Sequence, residues 1–239
     1  MLIVDCLLIL LLHKAGFYAK MESVTSWRLA KSHDAEVNIM HLVSEGNPDD
    51  PVAAALRNYG NITTYQVTLR SKSHNSFEEI RYYYKSAHIR MEFIKPIPGA
   101  VLIYDPDKKE VGLRPFRFTD HVLTLSPDNI IIQSSAGHRV DESDIGSLLR
   151  IVAKLQSKGE TNILGEESLS GRQTVMVRVA GIGDFTVFGV HRYDLWLERT
   201  TYLPLKIVSY DLRVEVIEEV LMDDLEINIV LPDNLFQLQ

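Results

Sequence analysis

Side chains able to do acid–base or metal chemistry are plentiful here, with eight histidines and 32 Asp and Glu, yet they do not converge. No histidine stands at metal-ligand spacing: His33 and His41 are eight residues apart, with no acidic partner at the right step between them. Neither H-E-x-x-H nor a paired-cysteine motif occurs. The single cysteine, Cys6, can form neither an internal disulfide nor a cysteine-rich metal site. The carboxylates come as adjacent doublets: Asp49-Asp50, Glu78-Glu79, Glu218-Glu219 and Asp223-Asp224. Neighbours on a strand point to opposite faces, so such a pair cannot share a proton, and a solvated surface is expected for them. Gly181-Ile182-Gly183-Asp184-Phe185-Thr186 begins like a dinucleotide loop but lacks the third glycine and falls between strands. There is no nucleophile elbow and no phosphate-binding loop. The pattern predicts no catalytic residue, no metal and no cofactor: a binding protein rather than an enzyme.

The elements that would position a binding site are clearer. At 239 residues, 46% apolar and 24% charged, the chain suits one large domain or two small ones. Its net charge of −7 disfavours a nucleic-acid partner. Ser32 to Glu36 offers a cap and an acidic first turn, Val37, Met40 and Val43 recur at helical spacing, and Gly46 stops that helix. A second helix is predicted from Pro51 to Asn58.

From Thr64 the period changes to two. Strands are predicted over Thr64–Arg70, Glu79–Lys85, His88–Phe93, Val101–Tyr104 and Val111–Pro115, and more weakly over His121–Leu125 and Ile130–Gln133. One helix interrupts them. Asp144 or Ser143 caps it, Ile145, Leu148, Leu149, Val152 and Leu155 form its apolar stripe, and Gly159 ends it. Strands resume at Thr161–Leu169, Arg172–Val179, Val190–Glu198, Leu205–Asp211 and Val214–Leu225. This order predicts a mainly β fold: an incomplete, strongly curved antiparallel β-barrel with helices covering its concave opening.

Strand parity puts Tyr65, Val67, Tyr82, Tyr84, Met91 and Phe93 on the apolar face, with Gln66, Arg81, Arg90 and Glu92 in water. Such a face is either core packed under helices or a groove that accepts an acyl chain, for which tyrosine and methionine are suitable linings. On the second reading the groove is lined by Tyr65, Val67, Leu69, Tyr82, Tyr84, Met91, Phe93, Ile103, Leu149 and Leu195.

The apolar run Cys6–Leu12 is too short to span a membrane, which takes about 20 residues, but suits the core of a secretory signal. Asp5 precedes it where positive charge is usual, so residues 1–20 read as a degenerate signal segment, cleaved or kept as a membrane-surface anchor. Residues 21–239 then form a single half-barrel domain.

Three stretches carry a family resemblance. They are Ile62–Thr68; the strands Ile80–Lys85 and Ile89–Phe93 followed by Ala100–Asp105; and Tyr193-Asp194-Leu195-Trp196-Leu197-Glu198 through Leu203-Pro204-Leu205-Lys206, with Tyr210-Asp211, Asp223 and Pro232-Asp233-Asn234-Leu235-Phe236. Together they resemble the periplasmic lipoprotein-carrier superfamily: the Lol-type carriers, the sigma-E regulator RseB and outer-membrane lipoprotein-sorting-like proteins. In two places the chain departs from that pattern. Lys85-Ser86-Ala87 replaces a basic residue followed by proline, and Val214 stands where a glycine is usual. The resemblance implies a half-barrel and an exported, non-enzymatic protein of a bacterial envelope. Its implied partner is an acyl chain, lipid or lipoprotein. The alternative is an envelope sensor or interaction protein that binds a peptide or regulator through the same groove.

Overall fold

The computed structural model describes residues 50–74, 76–118, 121–132 and 139–238. The signal segment, the helix expected from Ser32 to Gly46 and Gln133 lie outside these residues. Eleven strands form one antiparallel sheet in the order β6-β5-β4-β3-β2-β1-β11-β10-β9-β8-β7, with β6 and β7 as its two edges. The first meander is β1 (Thr64–Ser73), β2 (Phe77–Lys85), β3 (His88–Lys95), β4 (Val101–Asp105), β5 (Glu110–Arg114) and β6 (Leu123–Leu125). The second is β7 (Gly159–Leu169), β8 (Arg172–Gly181), β9 (Arg192–Glu198), β10 (Pro204–Tyr210) and β11 (Val216–Ile227). Helices α1 (Pro51–Tyr59) and α2 (Ile145–Gln156) precede the first meander and join the two. The expected open half-barrel is therefore the observed architecture. Among the described residues no helix is long and apolar enough to cross a membrane.

The meanders are joined by β1 and β11, paired antiparallel from Tyr65–Ile227 to Ser73–Glu218. Between Gln66 and Thr68 the register slips by one residue on β11, where Asp224 adopts a φ of 53°. A bulge of this kind bends the strand and increases local twist, which curls the sheet. The alternation follows the predicted parity. Tyr65, Val67, Tyr82, Met91 and Phe93 are buried and Tyr84 is half-buried, whereas Arg81 is exposed and Gln66, Arg90 and Glu92 are partly so.

Across the concave face lies α2, antiparallel to α1. Gln156 at its C-terminal end donates to the Asp50 carboxylate (2.9 Å), and Tyr59 at the end of α1 donates to Asp144 (2.7 Å). Its stripe is seated as the spacing requires: Ile145, Leu149, Val152 and Leu155 are buried and Leu148 half-buried, while Arg150 and Lys154 face water. Each fully buried aliphatic side chain contributes about 1.5–3 kcal/mol.

Three local expectations change. Ile130–Ile132 is a 3-10 turn rather than a strand, with the Ile132 N–H donating back to the Asn129 carbonyl (3.0 Å). Strand β9 starts at Arg192 rather than Val190, because Val187 and Val190 bond to each other in a small loop instead. The last strand starts at Val216 rather than Val214. Val214 takes a φ of 65° in the hairpin and its N–H donates to the Asp211 carbonyl (3.0 Å). A β-branched residue is strained there, since a positive φ favours glycine.

Two measurements follow. Leu149→Ala, at a site with no exposed surface, should cost about 2–5 kcal/mol in urea unfolding. Val214→Gly should instead raise stability by about 1 kcal/mol, because relief of about 1–3 kcal/mol of strain exceeds the entropy that glycine adds to the unfolded chain.

Candidate functional site

The concave face is not filled evenly. Between α2 and strands β1, β2, β9, β10 and β11 lies a slot of about 50 Å³. Its walls are mainly apolar: Val67, Leu69, Leu148, Ile207, Val220 and Met222. Ordinary ligand pockets measure about 300–1,000 Å³, so the slot is several times smaller than one of these.

One end is a tyrosine cluster at the start of α2. Asp144 caps the helix, accepting from the Ser147 amide (3.1 Å), the Ser147 hydroxyl (2.6 Å) and the Tyr59 hydroxyl. Tyr65 lies stacked between Tyr84 (4.9 Å) and Tyr82 (5.8 Å), and its hydroxyl accepts from the Ile145 amide (3.2 Å). Tyr82 shares a bond with Ser143, whose hydroxyl donates to the Val140 carbonyl (2.6 Å). Gly146 makes this packing possible, since a β-carbon there would lie 2.2 Å from the Tyr59 ring. Burial first, then the Asp144 charge, pushes the Tyr59 and Tyr82 hydroxyls far above the ordinary tyrosine range. For Tyr65 burial dominates, followed by Tyr82.

At the other end is Glu218, 8% exposed, which accepts from the Ser71 hydroxyl. Burial and then the Glu218 charge raise Tyr193. Glu78 and Glu218 correct the solvated-surface expectation. Parity does send the members of these two doublets to opposite faces, but the inward ones, Glu78 and Glu218, are buried. Their outward neighbours behave as expected, Glu79 meeting Lys95 (3.2 Å) and Glu219 meeting Lys206 (3.4 Å).

Of the ten residues placed in the groove, Tyr65, Val67, Leu69 and Tyr82 line the slot. Met91, Phe93, Leu149 and Leu195 are buried in the surrounding core, and half-buried Tyr84 packs against it. Ile103 is on the opposite side: it pairs with Gly112 and Arg90, and the C-terminal turn Asp233–Phe236 and Leu238 gather around that outer surface. Strand β4 is buried on both faces, so alternation cannot tell its inner side from its outer one. Missed in the sequence were Tyr193, Ile207, Ser209, Glu218, Val220 and Met222. Their own period of two was visible, but not the pairing across about 150 residues that brings them to β1.

A second cluster lies outside the slot. His88, Asp105 and Asp107 bring one potential ligand atom each within 4.8 Å of the others, although their sequence spacing matches no metal motif. Asp105 already accepts from Lys108 Nζ (2.9 Å) and from the Asp107 and Lys108 amides, and the lysine holds it below the usual carboxylate range. The Gly181–Thr186 loop is a turn pinned by Ile182 N–H to the Lys158 carbonyl (3.0 Å), not a phosphate cradle.

Chemically the slot offers apolar contact, hydroxyls and two carboxylates, and among the described residues no histidine lines it. Its buried tyrosines are neutral in the folded chain over a wider range than in the unfolded one. Their contribution is fully present below the ordinary tyrosine value near 10 and is lost as pH rises above it. Alkaline titration followed by tyrosine absorbance should therefore show the exposed tyrosines ionising first, with Tyr59, Tyr65, Tyr82 and Tyr193 ionising only together with unfolding.

Residues 103–238 match the family model of the MucB/RseB N-terminal domain. No curated protein matches the chain. Among solved structures, an uncharacterized conserved protein from Thermus thermophilus is 14% identical, with a TM-score of 0.49 over 78% of this chain and 90% of that one. The MucA/MucB complex of Pseudomonas aeruginosa is 16% identical, with a TM-score of 0.48 over 77% of this chain, which spans 60% of that one. Lipoprotein LppX of Mycobacterium tuberculosis is 7% identical, with a TM-score of 0.45 over 81% of this chain and 98% of that one.

Proposed function

The chain belongs to the MucB/RseB N-terminal domain family and has a lipoprotein-carrier-type fold, and from that premise we propose that it is an exported envelope protein that holds an acyl chain of a lipid or lipoprotein in the slot under α2. It performs no covalent chemistry. The observation that carries this reading is the slot itself, an apolar track between a curved sheet and an amphipathic helix, with every catalytic constellation missing from its walls among the described residues. Residues 1–20 are its export signal. Burying each methylene is worth about 0.8 kcal/mol, so a few inserted carbons already give useful affinity. Longer insertion requires α2 to lift at Leu148, its half-buried stripe residue, while Leu149, Val152 and Leu155 stay seated.

A second reading, an envelope sensor or interaction protein that takes a peptide or regulator through the same groove, is favoured by the slot's size. A cavity of this volume admits a single apolar side chain as readily as the end of a lipid.

Leu148→Trp fills the slot from its helix side without adding a charge. It should weaken binding of the neutral apolar dye N-phenylnaphthylamine at least about tenfold, a loss of about 1.4 kcal/mol. Arg81→Ala, on the wet face, should leave binding unchanged. Undiminished dye binding by a folded Leu148→Trp protein defeats the acyl-chain reading.

A further inference from the structure

We propose that one rim of the half-barrel docks on the surface of a phospholipid bilayer, through the apolar tips of the β8–β9 connection and the β10–β11 hairpin. The inference goes beyond the apolar-ligand reading and does not depend on it.

Hydrogen bonds place both turns at the same end of the sheet. The Gly181 N–H, at the end of β8, donates to the His191 carbonyl (2.8 Å), and the His191 N–H donates to the carbonyl of Tyr210, the last residue of β10 (2.9 Å). The C-terminal end of α2 completes the rim, where the Lys158 carbonyl accepts from the Ile182 N–H (3.0 Å). Ile182 and Phe188 in the first turn, and Leu212 and Val214 in the second, are each between 45% and 62% exposed.

Both turns break the same rule of turn chemistry. Val187 and Val190 exchange two backbone bonds (2.9 and 3.0 Å) around Phe188 and Gly189, whose φ angles are 50° and 78°. A two-residue turn with both φ positive favours asparagine, aspartate or glycine at the place Phe188 occupies. In the other hairpin Val214 takes the left-handed position that closes a three-residue loop, where glycine is again favoured. Each turn therefore holds a bulky apolar side chain outward on a strained backbone, and about half of that side chain stays in water. Strain that burial does not offset points to a task outside the fold.

The chemistry of the rim selects a bilayer as its occupant. Lysines stand behind the apolar tips: Lys154 Nζ lies 5.9 Å from the centre of the Phe188 ring, and Lys158 Nζ 5.3 Å from that of Phe185. Both lysines are exposed, and among the described residues neither forms an ion pair. Asp184 is the one carboxylate in residues 182–191, and Arg213 is held by Asp211 (3.3 Å) and Glu215 (3.1 Å) within its own hairpin. A ring that enters the acyl region leaves such a lysine at the level of the phosphates, with its stem along the apolar surface. The apolar side chains stand on separate turns. Fluid acyl chains enclose them one by one, whereas a protein partner needs a contiguous face of about 800 Å². The chain also enters the domain here. Gln156 donates to both Asp50 (2.9 Å) and Thr161 Oγ1 (3.0 Å), so the region that carries the apolar run Cys6–Leu12 joins the domain at this same rim.

The test uses the intact chain and vesicles of phosphatidylethanolamine and phosphatidylglycerol. In Phe188→Trp the new indole should shift its emission to the blue when vesicles are added, beyond any change in the unsubstituted chain. Val230→Trp should not, because Val230 is exposed at the opposite end, past the pairing of Ile227 with Tyr65. The double variant Phe188→Ser, Leu212→Ser should weaken vesicle binding in co-sedimentation at least about tenfold, while N-phenylnaphthylamine binding in the slot stays unchanged. An unshifted Phe188→Trp overturns the proposal, and so does a folded double variant that sediments as the unsubstituted chain does. A dimer in solution that the double variant splits assigns the tips to a second copy of the chain and overturns it as well.

Discussion

Everything else in this molecule depends on the pairing of β1 with β11. These strands are separated by the whole of both meanders, yet ten-residue β1 gives one edge to β2 and the other to β11. Without that contact the chain is two hairpin stacks, each with one apolar face and too little sheet to bury it. With it, the two faces become a single concavity, and the helix that links the meanders lies across it. The bulge at Asp224 occurs in this same ladder, so one seam both joins the halves and bends them.

The two faces of the sheet do different work. Inside are stacked tyrosines, aliphatic side chains and a few polar groups held by short hydrogen bonds. Outside, over β8 to β11, is a ladder of charge. Arg178 grips Asp194 through two bonds (2.7 and 2.9 Å), Arg192 lies 3.6 Å from the Tyr210 ring, and Lys206 lies 4.7 Å from the ring of Trp196, whose indole donates to Glu167. Exposed ion pairs contribute little each, about 0–1 kcal/mol. Asp194 is different because it is buried, and removing Arg178 would break both of those bonds and leave it only Arg192, 3.6 Å away.

Much of this was legible in the residues. Period two from Thr64 and period 3.6 from Ile145 reproduced the strands, their inward faces and the seating of α2, because both patterns arise from one-sided burial. Legibility failed where burial is two-sided or where partners are remote. Ile103 is apolar on a strand whose outer face is also covered, so its direction had no periodic signature. Glu218 looked like surface because one half of a carboxylate doublet carries no mark of Ser71, which reaches it from a strand about 150 residues earlier. The four slot residues found in advance lie on β1 and β2, adjacent strands joined by a hairpin. The six that were missed lie on β9, β10 and β11.

Among the described residues the sheet does not close: β6 and β7 are its two ends. In a complete barrel, strand number and stagger dictate the radius, and a guest must suit a bore of given width. Here no hydrogen-bond ladder runs around the full circumference, so the bore behaves as a clasp whose gap is set by bending stiffness. The size of guest it tolerates is accordingly an elastic property, tunable by residues in the bulges of β11 and β7 that never touch what is held.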